Sequence, residues 1–265
     1  MKNEKTNIIT NNKKINIKKA LLFTLIILPV AIIGGICTTI YQIDTLAPQM
    51  VEAAVSQVGS LEMVVAITTL QTTVYTFICS FIGYIVSDKI GLIKPFTLKK
   101  KSILTSLLFG AGLGVLLGVD HFISGSMYPE IQSANVSSFT LNGVIASILY
   151  GGVIEEVYMR LFFMSLIALI VWKLFFRKYD SNNIPQKAYV IANIVAALAF
   201  AAGHLPATVG IFGDLDAFIL IRCFVLNGIG GYLFGELFRK HGIGYAMIAH
   251  ATAHIVKFVI FAIFI

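Results

Sequence analysis

The chain has 265 residues, of which 57% are hydrophobic and only 12% are charged, and its mean hydropathy is +0.87. Soluble domains carry about 25% charged residues, so this composition excludes a soluble globular protein. The apolar runs are continuous over about 20 residues, the length that a helix needs to cross a bilayer, and they lack the alternation of barrel strands. We therefore predict an all-α, polytopic transmembrane helical bundle.

The apolar runs predict seven spans, in chain order at about 20–41, 63–86, 102–123, 141–176, 188–205, 217–237 and 243–264. The first run is too long for the apolar core of a signal peptide, so we expect an uncleaved span. The fourth would be roughly 50 Å long as one straight helix, so it must tilt, project from the bilayer or break, giving eight helices. We predict a basic cytoplasmic tail over 1–19 and one transmembrane domain over 20–265.

The orientation follows from the basic residues. Apart from Arg160, Arg222 and Lys257, every Lys and Arg lies in one of four segments, at 1–19, 87–101, 173–187 and 239–240. The alternate connections, at 42–62, 124–140 and 206–216, carry acids and no Lys or Arg. Because positive loops stay in the cytoplasm, we predict a cytoplasmic N-terminus and an outer C-terminus. The net charge of +7 then reflects topology and contact with anionic lipid, not nucleic acid.

Glycines recur four residues apart at Gly110, Gly114 and Gly118, and again at Gly231 and Gly235. This spacing predicts close approach of helices within the bilayer. The Lys-, Asn- and Ile-rich composition favours a bacterial plasma membrane.

Two adjacent acids, Glu155 and Glu156, lie inside the fourth apolar run. A carboxylate at bilayer depth costs several kcal/mol, so it usually faces a partner or a wet cavity. Glu156 and Arg160 are four residues apart and share a helix face, whereas Glu155 points about 100° away. We predict that Arg160 neutralises Glu156 and that Glu155 faces a cavity as a general base. A buried ion cluster that only holds helices together is the alternative.

Histidines follow in later spans. His204 shares a helix face with Phe200, although a single membrane histidine is commonly a packing residue. His250 and His254 are also four residues apart, a spacing that suits two metal ligands or two donors aimed at one oxygen.

Three short motifs therefore stand on apolar spans: Glu-Glu-x-x-x-Arg at 155–160, Phe-x-x-x-His at 200–204 and His-x-x-x-polar at 250–254. In order and spacing they resemble the CPBP family of intramembrane proteases, also called the CAAX protease or Abi family, over about residues 100–260. The eukaryotic member trims prenylated proteins after their lipid-bearing cysteine. The resemblance implies an intramembrane endopeptidase that acts on a membrane-associated or lipid-modified peptide or protein.

The resemblance also implies residue roles. Glu155 would be the catalytic carboxylate and would activate water together with His204, while His250 and the residue four later would stabilise the oxyanion. The family usually has Asn or Asp at that last position, where this chain has His254. The implied catalytic set is Glu155, His204, His250 and His254, and the implied supporting set is Glu156, Arg160 and Phe200.

Two mechanisms fit these residues. We favour a metal-free mechanism, in which a carboxylate takes the proton of water and imidazoles stabilise the oxyanion. The alternative places Zn²⁺ on His204, His250 and a third ligand, either His254 or a glutamate, to lower the pKa of a bound water.

Acids and histidines inside a membrane also occur in proteins with other functions. One is a non-catalytic membrane immunity or regulatory protein; another is a proton- or metal-coupled transporter, although no inverted repeat is visible. The sequence does not specify the substrate or the oligomeric state.

Helix depth poses a difficulty. Counting helical rise from the predicted span ends places Glu155 and His250 about 10 Å above the cytoplasmic face and His204 about 24 Å above it. These side chains meet only if the helices tilt or break.

Overall fold

A computed structural model describes residues 16–46 and 48–264, and within these ranges the fold is helical with no β-strand. Seven segments are long and apolar enough to cross a membrane, which confirms the predicted seven-span bundle. The helices are α1 (Ile17–Thr45), α2 (Pro48–Val58), α3 (Leu61–Lys89), α4 (Lys100–Ile123), α5 (Pro129–Ser138), α6 (Leu141–Phe175), α7 (Gln186–Gly203), α8 (Leu205–Phe212), α9 (Ala217–His241) and α10 (Ile243–Phe264).

Some helix ends differ from the predicted ones. Helix α1 begins at Ile17, inside the predicted tail, and residues 1–15 of that tail lie outside the described residues. The fifth apolar segment continues past His204 into α8, which has Pro206 in its first turn. Proline lacks a backbone N–H, so it fits the first turn of a helix but ends a helix that precedes it.

The fourth span does not break, although a break is one of the three expectations for its length. It stays helical from Leu141 to Phe175, but its turns widen to π-helical geometry over Ser147–Glu155 and Val157–Met164. Such widened turns are rare and are often found at functional sites. Glu155 is the last residue of the first widened stretch, and Glu156 lies between the two stretches.

The glycine spacing does produce close helix contacts. A Cβ added to Gly114 would lie 2.6 Å from the carbonyl oxygen of Ala253, so α4 and α10 touch through their backbones. Likewise, a Cβ on Gly231 would lie 3.0 Å from the Cα of Ala197, which joins α9 to α7. The predicted role of these glycines is confirmed.

Helix α6 forms the centre of the bundle. Its core side chains are fully buried, namely Ile154, Val157, Leu161, Met164 and Ala168. Hydrogen bonds fix it to α3: Ser87 Oγ donates to the Leu161 carbonyl oxygen at 3.0 Å, and the hydroxyls of Thr76 and Tyr158 lie 2.9 Å apart. The acid pair is therefore carried on the most enclosed helix of the protein.

Candidate active site

The second acid of the pair forms a buried ion pair. Glu156 and Arg160 are both fully buried, and Arg160 Nε lies 3.3 Å from Glu156 Oε2. The guanidinium carbon lies 4.7 Å from the ring centre of Phe200 and 5.8 Å from that of Phe234. Desolvated cation–π contacts of this kind partly replace the water that a buried guanidinium loses. The predicted Glu156–Arg160 pair is present, and Phe234 is a partner that the sequence reasoning missed.

His250 is held by the same carboxylate. Its Nδ1 lies 2.9 Å from Glu156 Oε1, and its ring stacks on Phe234 at 4.4 Å between centroids. An ionised carboxylate only accepts hydrogen bonds, so Nδ1 carries the proton and the Nε2 of the neutral ring is an acceptor. Sequence reasoning missed this bond, because Glu156 and His250 lie on different helices and no spacing rule relates them.

His254 continues the chain of polar contacts. Its Nε2 lies 3.2 Å from the Nε2 of His250, so one N–H joins the two rings. Its Nδ1 is buried and has no hydrogen-bond partner among the described residues. A Cβ on Gly151 would lie 2.8 Å from His254 Nε2. The absence of a side chain at Gly151 therefore gives this imidazole its space.

Glu155 faces open space, as predicted. Its side chain is 23% exposed, whereas that of Glu156 is fully buried. Its Oε2 lies 4.0 Å from His250 Nε2, and no hydrogen bond to it occurs within the described part of the chain. This carboxylate is thus available to a ligand or to water.

His204 lies where α7 ends and α8 begins. Its Nδ1 donates to the Phe200 carbonyl oxygen at 2.8 Å, which leaves Nε2 as an acceptor. No direct hydrogen bond joins His204 to Glu155, but both line the same cavity. The predicted difference in depth therefore does not keep His204 and Glu155 in separate spaces. A water molecule between the two side chains would bridge them in place of a direct hydrogen bond.

This cavity has a volume of about 230 Å³, enough for several water molecules. Its polar lining residues are Thr38, Tyr41, Gln42, Ser147, Tyr150, Glu155, His204, Asn227, His250 and His254. Tyr150 and Asn227 were not singled out from the sequence, because an isolated Tyr or Asn in an apolar span gives no distinctive signal. The four predicted catalytic side chains meet in one polar space.

The fit of a metal ion can be judged from the same distances. The facing Nε2 atoms of His250 and His254 have a separation suited to two ligands of one zinc ion. However, His204 makes no contact with either ring, and residues 16–46 and 48–264 contain no group of three His, Cys, Asp or Glu side chains arranged to hold a metal. His250 and His254 could therefore serve as two zinc ligands, but His204, the predicted third ligand, is not in position.

One comparison with known proteins gives a match that spans this site. Residues 137–256 match the family model described as Rce1-like type II CAAX prenyl endopeptidase. All three motifs lie inside the matched range, and the match confirms the resemblance to the CPBP, or CAAX protease, family. Among curated proteins and solved structures, none matches the chain significantly.

Proposed function

Because residues 137–256 form an Rce1-like domain of the CAAX protease family, we propose that this integral membrane protein is an intramembrane endopeptidase. It hydrolyses a peptide bond of a membrane-associated or lipid-modified substrate, using water activated by Glu155 and His204. The observation that carries the proposal is the contrast within the acid pair: Glu156 is buried and paired, whereas Glu155 faces a polar cavity.

The first step is the activation of water. A water in the cavity donates one hydrogen to the Glu155 carboxylate and the other to Nε2 of His204, which is an acceptor because Nδ1 donates to Phe200. Glu155 takes the proton as the water oxygen attacks the peptide carbonyl carbon. General base catalysis of this kind contributes about 10²- to 10⁴-fold to the rate.

The second step is stabilisation of the oxyanion. The N–H that His254 shares with His250 can turn to the negatively charged oxygen of the tetrahedral intermediate. Glu156 accepts from Nδ1 of His250, so the Nε2 of that neutral ring stays an acceptor and holds the His254 ring beside the oxyanion. His254 therefore donates to the oxyanion, and His250 positions it.

The third step is collapse of the intermediate. Protonated Glu155 gives its proton to the leaving amide nitrogen and the C–N bond breaks, which gives a carboxylic acid and an amine; the acid then passes its proton to the amine, so the final products are a carboxylate and an ammonium. Glu155 returns to its ionised form, so one residue serves as base and then as acid.

A zinc version of the mechanism uses the His250–His254 pair as two ligands. The 3.2 Å separation of their Nε2 atoms is the observation that favours it. In that version these two rings would hold the ion, the ion would lower the pKa of a water, and activity would depend on the metal. Chelator treatment and the metal content of the purified protein distinguish the two versions.

The test is a cleavage assay in proteoliposomes. An internally quenched peptide with a prenylated cysteine, and the same peptide without the lipid, are incubated with wild type, Glu155→Gln or the matched control Glu52→Gln. Glu52 is an exposed acid on α2, away from the cavity.

We expect wild type and Glu52→Gln to release fragments of defined mass, with or without chelator, and Glu155→Gln to be at least about 10²-fold slower. If neither peptide is cleaved in a Glu155-dependent manner, the proposal fails and the immunity, regulatory or transport functions gain weight. Activity that disappears with chelator and returns with zinc supports the zinc version.

A further inference from the structure

A second, larger cavity adjoins the candidate active site. It has a volume of about 740 Å³ and lies among the C-terminal end of α1, helix α5 and helix α8. We call it the vestibule. It shares two lining residues, Tyr41 and Gln42, with the cavity that contains Glu155. The two spaces are therefore adjacent and meet at these two side chains.

The opposite end of the active-site cavity is closed. The side chains between Glu155 and the basic end of the bundle are almost completely buried, namely Val157, Leu161, Phe234, Leu237, Phe238 and Ala246. Two cavities at the basic end, around Lys94 and His241, share no described lining residue with the active-site cavity. Within the described residues, the path from Glu155 leads away from the basic end.

The vestibule has a distinct chemistry. Its single charged lining residue is Glu130, which is exposed, and three other exposed polar residues, Gln42, Ser133 and Ser137, line it as well. The connections on this side of the bundle carry acids and no Lys or Arg. The resulting negative potential favours the approach of positive charge.

We propose that the vestibule admits a basic, extended peptide segment of the substrate to Glu155 from the non-cytoplasmic side of the membrane. The inference rests on the proposed endopeptidase function and on the orientation predicted from the Lys and Arg distribution. It specifies the substrate as a peptide with a basic side chain near the scissile bond, which pairs with Glu130.

A lipid chain is a poorer occupant than a peptide. A hydrocarbon chain against Gln42, Glu130 and the two serines would remove these groups from water without replacing their hydrogen bonds, which is costly. A peptide backbone carries one donor and one acceptor per residue and can replace those bonds. The volume is within the range of sites that enclose a ligand of several residues.

The test uses cysteine labelling from either side of the membrane and needs no peptidase activity. In a background that lacks Cys37, Cys79 and Cys223, Ser147→Cys places a thiol in the active-site cavity, and Thr38→Cys is a second probe of the same cavity. Right-side-out and inverted vesicles are treated with cationic or anionic water-soluble thiosulfonates, and modification is followed by mass. Ser181→Cys, at the basic end, reports the orientation.

We expect Ser147→Cys to react from the non-cytoplasmic side and Ser181→Cys from the cytoplasmic side. Glu130→Gln should lower the ratio of cationic to anionic reaction rates at Ser147→Cys by about threefold or more, and Glu52→Gln should not. In the cleavage assay, a peptide with one Lys should be cleaved faster than its Gln counterpart at one position of a Lys scan, and Glu130→Gln should abolish that preference.

Reaction of the cavity thiols only from the cytoplasmic side would overturn the inference. So would reaction with membrane-permeable reagents alone, which would identify the vestibule as a lipid site. Labelling is also read in Glu155→Gln. A protein that labels as expected but cleaves no peptide therefore refutes the proposed function, whereas one that cleaves but labels from the wrong side refutes only the route.

Discussion

The Nδ1 atom of His250 lies 2.9 Å from Oε1 of Glu156, although 94 positions separate the two residues in the sequence. The other oxygen of the same carboxylate faces Arg160 at 3.3 Å. One buried carboxylate thus holds a cation on its own helix and an imidazole on another. Its neighbour Glu155 has no hydrogen-bond partner among the described residues, which supports the proposal that Glu156 positions the site and Glu155 reacts.

The first prediction concerns stability. We expect Glu156→Gln to lower the free energy of unfolding by about 3–5 kcal/mol, because it leaves the buried guanidinium of Arg160 without a counter-charge. Glu155→Gln removes a charge from a partly exposed group, so we expect little change in its thermal midpoint. Thermal unfolding of both variants in the same detergent measures the difference.

The second prediction uses the same two variants to distinguish a reactive Glu155 from a purely structural ion cluster. If Glu155→Gln destabilised the protein as much as Glu156→Gln, both acids would be structural and the assignment of Glu155 to the reaction would be wrong.

The third prediction concerns the space occupied by His254. A Cβ on Gly151 would lie 2.8 Å from the Nε2 of His254, so Gly151→Ala should displace the imidazole. We expect cleavage to slow about tenfold, which corresponds to a loss of about 1.4 kcal/mol of transition-state stabilisation. The shorter side chain of His254→Asn should relieve the contact, so the double variant should recover most of the activity.

The matched control for this experiment is Gly228→Ala, because a Cβ there would meet nothing within 4 Å. A double variant as slow as Gly151→Ala alone would show that the glycine has another role.

The fourth prediction concerns the contact of α4 with α10. A methyl group on Gly114 would lie 2.6 Å from the Ala253 carbonyl oxygen, so Gly114→Ala should cost about 1–3 kcal/mol through overpacking. On the same helix, Gly112 has open space around it, and Gly112→Ala should be neutral or stabilising by up to about 1 kcal/mol. Equal midpoints for the two variants in thermal unfolding would argue against close helix packing here.

The fifth prediction concerns acid stability in the loops opposite the basic end of the bundle. The backbone N–H of Ile219 and the hydroxyl of Tyr128 donate to Asp216 at 2.8 and 2.5 Å, and these bonds lower the pKa of the Asp216 carboxyl. Their contribution to stability is full above the ordinary Asp pKa of about 4 and is lost as the pH falls through the lowered value. Tyr128→Phe removes one donor and should weaken the dependence of the thermal midpoint on pH in this acid range.

Tyr179→Phe is the control, because Tyr179 lies on the basic side and its hydroxyl makes no hydrogen bond among the described residues. An unchanged acid dependence in Tyr128→Phe would show that the tyrosine does not influence Asp216.

Features that depend on one helix could be predicted from the sequence. The pairing of Glu156 with Arg160 and the exposure of Glu155 follow from helical periodicity, and the glycine contacts follow from a four-residue spacing. Seven apolar runs likewise specify the number of spans.

Features that depend on how helices pack could not be predicted. The Glu156–His250 bond joins α6 to α10, and the widened turns of α6 leave no pattern in the sequence. The count of helical rise placed His204 and Glu155 at different depths, because it holds no information on how the helices pack. The structure brings both to one cavity.

The central claim is that Glu155 and His204 act on one water molecule. An experimental map at a resolution that shows ordered solvent tests it most directly. We expect a water within about 3.2 Å of both a Glu155 carboxylate oxygen and His204 Nε2. A cavity filled by an apolar side chain or lipid, or a His204 ring turned away from Glu155, would contradict the mechanism.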